Sequence, residues 1–185
     1  MKRILTGLVL LALVACGAAA GEEQVAMRIV TCPEQGFSTL CRPEYDYDFH
    51  PDGGLPIALR EGDDAPWVGI FKTDAPGADF DAEYYLTHVH GDLVESSYAD
   101  EMIAAGECTT VSLGGKELPG RMFTYTVDGE GEFCLCAIEV EDDYFVRYEV
   151  VCHQYDIEIE DSLTALAVAV GNFQPDPDYY SNHND

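Results

Sequence analysis

Basic residues are scarce in this chain. Nine Lys and Arg stand against 35 Asp and Glu, giving a formal net charge of −26. A field of that sign repels phosphate backbones and anionic lipid heads alike, which excludes nucleic acid as a partner. The usual catalytic signatures are also missing. There is no nucleophile elbow, no phosphate-cradling glycine loop and no dinucleotide fingerprint, so no cofactor is expected. Tryptophan occurs once, at Trp67, and it reads with the 11 Tyr as core and sheet-face residues rather than as a ligand platform.

What is present begins with an address. Met1-Lys2-Arg3 precedes an apolar run from Ile4 to Ala15 that only Thr6 and Gly7 interrupt. A short basic end followed by about a dozen apolar residues is a secretory signal, too short to span a bilayer as a mature helix. The run closes on Leu13-Val14-Ala15-Cys16-Gly17. That ending resembles the lipobox of bacterial lipoproteins, and the resemblance implies cleavage before Cys16 and a diacylglycerol on its thiol. The plainer alternative is an ordinary signal with an incidental cysteine. Two acyl chains anchor stably where one is marginal, because each buried methylene contributes about 0.8 kcal/mol. The expected organisation is a signal over 1–15, a small polar tether over 16–26, one domain over 27–175 and an acidic flexible tail over 176–185. The domain then lies outside the cytoplasm, held to the cell membrane or outer membrane through Cys16.

Loss of Lys2 and Arg3 leaves 7 basic residues against the same 35 acidic ones, a mature net charge of −28. The acid is spread along the chain among aromatics, which describes a folded acidic domain rather than an acidic tail. Such a surface resists aggregation; it also leaves open a divalent cation or a basic protein as partner. Beyond Cys16 there are six cysteines: Cys32, Cys41, Cys108, Cys134, Cys136 and Cys152. An even number in an oxidising compartment points to disulfides, although six cysteines allow fifteen pairings.

Short strands separated by turn chemistry fill the first part: Met27–Thr31, Phe37–Cys41, Tyr45–Phe49, Ile57–Leu59 and Trp67–Lys72. The period then changes over Asp79 to Leu93. Ala82, Leu86, Val89 and Leu93 form an apolar helical stripe, with Asp79 placed to cap it. Ala99 to Ala105 reads as a second short helical piece. From Cys108 a meander follows: Thr109–Leu113, Arg121–Val127, Phe133–Val140 and Tyr144–His153. A three-residue loop in the last hairpin sets Cys134 opposite Cys152, which makes that the preferred disulfide. Ile159, Leu163, Leu166, Val170 and Phe173 line a closing helix.

These elements make an α+β domain, an antiparallel β-sheet flanked by helices. The order from Gly36-Phe37-Ser38 through Val111-Ser112-Leu113-Gly114-Gly115-Lys116-Glu117-Leu118-Pro119-Gly120-Arg121 resembles the PsbP-like fold. So do Tyr144-Phe145-Val146-Arg147-Tyr148 and the close Gly171-Asn172-Phe173-Gln174. This resemblance, which extends to the DcrB- and LpqN-like lipoproteins and covers roughly Gly36 to Pro175, implies an α/β/α sandwich. It further implies a binding or structural module without a catalytic centre, and it carries over no site residues.

One stretch looks like chemistry. Thr87-His88-Val89-His90-Gly91-Asp92 resembles the zinc motif of the metallo-β-lactamase superfamily, with Leu93 where the last His belongs. As a zinc hydrolase it would use His88, His90 and Asp92. On a helix, however, residues two apart are separated by about 200° around the axis, so the two imidazoles splay. Two weaker candidates remain. Asp46-x-Asp48 with Pro51-Asp52-Gly53-Gly54 has the flavour of a calcium loop but no closing Glu. Cys134-x-Cys136 suits a soft metal but fits structural disulfides better.

Overall fold

The computed structural model describes residues 26–43, 45–47, 55–59, 67–74, 79–153 and 159–176. The signal, Cys16, the segment 48–54 of the calcium-loop candidate and the tail beyond residue 176 lie outside them. Eleven strands and two helices are formed by the described residues. The strands are β1 (Arg28–Cys32), β2 (Phe37–Cys41), β3 (Tyr45–Tyr47), β4 (Leu55–Leu59), β5 (Trp67–Asp74), β6 (Glu101–Ala105), β7 (Thr109–Leu113), β8 (Lys116–Val127), β9 (Glu130–Val140), β10 (Tyr144–His153) and β11 (Gln174–Pro175). Helix α1 winds continuously through Ala82–Tyr84, Tyr85–Val89, His90–Leu93 and Val94–Tyr98, and α2 spans Ile159–Gly171.

The main sheet is antiparallel, in the order β3-β4-β5-β10-β9-β8-β6, with β7 also on β8. Side chains alternate across it, so each central strand buries two faces. Val68, Ile70, Leu135, Ala137, Val146, Tyr148 and Val150 point to one face, where Leu166, Ala169 and Val170 of α2 cover them. A second, three-stranded sheet, β1-β2-β11, closes the same side. Thr39 Oγ1 fastens it by donating to the Ala169 carbonyl at 2.7 Å, and the Phe37 and Phe173 rings lie 5.1 Å apart. The opposite face carries Phe123, Tyr125, Cys134 and Val151, packed under Val94 of α1. Cys136, Ile138 and Phe145 sit beside them under Leu86. The α+β class and the layered arrangement are those expected from the sequence; the separate small sheet is an addition.

Three local expectations are corrected. Asp81, not Asp79, caps α1, its Oδ1 accepting from the Glu83 and Tyr84 amides at 2.9 and 3.0 Å. Asp81→Ala is therefore expected to cost about 1 kcal/mol in urea unfolding, with Asp79→Ala near neutral. Glu101–Ala105 is a strand rather than a helical piece, because pairing with β8 satisfies its backbone at the sheet edge and overrides a modest helix propensity. The β9–β10 hairpin closes through Asp142-Asp143 alone, with the Glu141 amide donating to Tyr144 O at 2.9 Å. One residue fewer in the loop shifts the register by one. Cys134 then faces Val151, and Cys152 faces Phe133. A one-residue shift sends side chains to opposite faces, so the Cys134–Cys152 disulfide is withdrawn. Cys32, Cys108, Cys134 and Cys136 carry free thiols.

A buried histidine cluster as candidate functional site

Helix α1 is not a plain α-helix. Tyr85–Val89 and Val94–Tyr98 wind as π turns, whose backbone bonds close five residues on instead of four. The wider winding rotates the inward face to Leu86, His90 and Val94, all fully buried, and leaves Val89 49% exposed. Arg121 of β8 locks this phase by donating from Nη1 to the carbonyls of Leu86 and Thr87, at 3.2 and 3.1 Å. Gly91 makes the approach possible, since a Cβ there would stand 2.9 Å from that Nη1.

His90 is thereby driven into the sheet. Its Nε2 lies 3.6 Å from Oε1 of Glu149 on β10, and the thiol of Cys134 on β9 donates to the same oxygen at 3.5 Å. Arg147, also on β10, places its Nε 3.4 Å from Oε2, with the guanidinium 4.0 Å from the centre of the Phe71 ring. The Phe123 and Tyr98 rings stand edge-on to the imidazole at 5.7 and 6.4 Å.

Burial governs the protonation of this group. Desolvation, with Arg147 and Arg121 nearby, lowers His90 from 6.5 to about 3, so the ring is neutral at ordinary pH and the 3.6 Å contact is not an ion pair. Desolvation raises the Glu149 carboxyl above its usual range, against the opposing pull of Arg147. It also pushes the Cys134 thiol well up, with the Glu149 charge adding to the effect. Neither ring nitrogen of His90 has a hydrogen-bond partner, and neither does Glu149 Oε2.

The segment that resembled a zinc motif is thus divided. His88 is exposed and packs its ring 4.7 Å from Tyr84; Asp92 is exposed; only His90 turns inward. The structure does not bring the three together. Instead it joins His90 to Cys134, Glu149 and Arg147, a grouping that sequence reading missed. Its signal was available: Arg147 and Glu149 alternate with Val146, Tyr148 and Val150 on a strand both of whose faces are covered.

The fold is PsbP-like. No family model and no curated protein sequence matches the chain. Among solved structures it is similar to LpqN from Mycobacterium tuberculosis, described as involved in cell envelope biogenesis, at 14% identity and a TM-score of 0.55. That match covers 82% of this chain and 91% of LpqN. Similarity extends to cyanobacterial PsbP (CyanoP) from Synechocystis, at 10% identity and a TM-score of 0.50, over 86% of this chain and 98% of that one. A Bacteroides thetaiotaomicron protein matches at 10% identity and a TM-score of 0.50, with 78% of this chain covering 46% of the other.

Proposed function

We propose that the chain is an exported domain, anchored by lipid on Cys16, that serves in the cell envelope as a binding or structural module rather than as an enzyme. The observation that carries the non-catalytic part is the sealing of the polar cluster. His90, Cys134 and Glu149 all have 0% exposure, and a reaction needs its reacting atoms in contact with substrate. Among the described residues, no third donor converges with the exposed pair His88 and Asp92, as zinc hydrolysis would require. The fold shared with an envelope protein supports the location, and the lipobox-like Leu13-Val14-Ala15-Cys16 supports the anchor.

Growth with labelled palmitate tests the anchor. The expected result is label in the protein, which sediments with membranes. Cys16→Ser should lose the label and lose most of the membrane-bound fraction. Unlabelled protein that sediments unchanged after Cys16→Ser overturns the anchor.

A further inference from the structure

The orphaned polar atoms around His90 ask for an explanation. Each buried polar group without a partner costs roughly 1–3 kcal/mol, and His90 alone presents two such nitrogens. Hydrogen bonding within the cluster does not supply the deficit, since 3.6 Å between Nε2 and Oε1 is beyond a normal bond.

Two of the three donor spacings suit a shared ion instead. Ligand atoms at about 2.0–2.3 Å from a tetrahedral zinc stand about 3.3–3.6 Å from one another. Glu149 Oε1 lies 3.6 Å from the histidine nitrogen and 3.5 Å from the cysteine sulfur, and one atom from each of the three residues falls within 4.8 Å of the others. The donors come from three separate elements, α1, β9 and β10, each fixed by the packing described above. Imidazole, thiolate and carboxylate together match zinc and its divalent neighbours rather than calcium or magnesium, which prefer all-oxygen shells.

We propose that His90, Cys134 and Glu149 form a buried site for a divalent transition-metal ion of the zinc class, which pins α1 to the sheet. Binding turns the Cys134 thiol into a thiolate and releases its proton to solvent; with the Glu149 carboxylate, the two negative charges balance the ion. Neutral His90 needs no deprotonation to donate a lone pair. Arg147 adds a positive charge that opposes the ion, but it addresses Oε2 and leaves Oε1 to the other two donors. Because the cluster is sealed, the ion enters as the domain folds, and exchange in the folded state is slow. The site is independent of the lipid anchor, so Cys16→Ser should bind metal unchanged.

The test is refolding of the full protein with Zn²⁺ or Co²⁺, followed by gel filtration and elemental analysis. About one equivalent of zinc per chain is expected, with a thiolate-to-cobalt absorption band in the Co²⁺ form. Cys134→Ala should abolish that band, and the isosteric Glu149→Gln should lower zinc affinity at least tenfold while the fold is retained by circular dichroism. His88→Ala and Asp92→Ala should keep the full equivalent. Metal-free protein after refolding in excess zinc overturns the proposal. So does zinc that survives in folded Glu149→Gln and Cys134→Ala, or zinc lost on His88→Ala.

Discussion

Gly114→Ala is expected to destabilise the domain by roughly 3–5 kcal/mol, combining overpacking and backbone strain. Gly114 opens the two-residue turn between β7 and β8 at φ +58°, and a Cβ there would stand 2.3 Å from the Gly171 amide nitrogen and 2.4 Å from the Ala167 carbonyl oxygen. Both are backbone atoms of the last turn of α2, so no side chain can step aside. Gly115 provides the control. It shares the left-handed conformation at φ +83° but has nothing within 4 Å of the added carbon. Gly115→Ala should therefore cost only about 1 kcal/mol. Thermal melts should separate the two, at about 2–4 °C per kcal/mol for a domain of this size. Equal losses from the two variants would show that the contact with α2 carries no weight.

Arg147→Met carries the second large effect. Arg147 is the positive group nearest the buried carboxyl of Glu149, 3.4 Å from Oε2, and Glu149 itself is fully buried. Removing one partner from a buried pair typically costs about 3–5 kcal/mol, because the remaining charge is left uncompensated or must bind a proton. Replacing both partners with apolar residues of similar volume is often neutral. Urea unfolding in the presence of a chelator should therefore show a large loss for Arg147→Met and recovery of most of it in Arg147→Met/Glu149→Leu. A double variant as unstable as the single one would assign the loss to the Phe71 contact of the guanidinium rather than to the carboxyl.

Most of the strands and the closing helix were legible because their signals are local: alternation of apolar residues, turn pairs such as Gly114-Gly115, and a stripe at helical spacing; β6 was not, because only its pairing with β8 makes it a strand. The register of the last hairpin was not, because Asp142-Asp143 fits a two- or a three-residue loop equally well in composition. That single residue decided which face Cys134 occupies. The helical character of the Asp79 to Leu93 region was readable, but its phase was not. The stripe Ala82, Leu86, Val89 and Leu93 assumes α winding, whereas the π turns bring His90 in and put Val89 out. The splay of His88 and His90 followed from helical geometry alone. The partners of His90 did not, since Cys134 and Glu149 meet it only through sheet pairing across 44 and 59 residues of sequence.

The two wide turns of α1 imply something about how such a site arises. A π turn differs from an α turn by a single extra residue in the loop that its backbone bond closes. Deleting one residue between Tyr85 and Val89 would therefore restore ordinary winding there without turning the rest of α1, because the wide turn is what absorbs the extra residue, and His90 would keep its side toward the sheet.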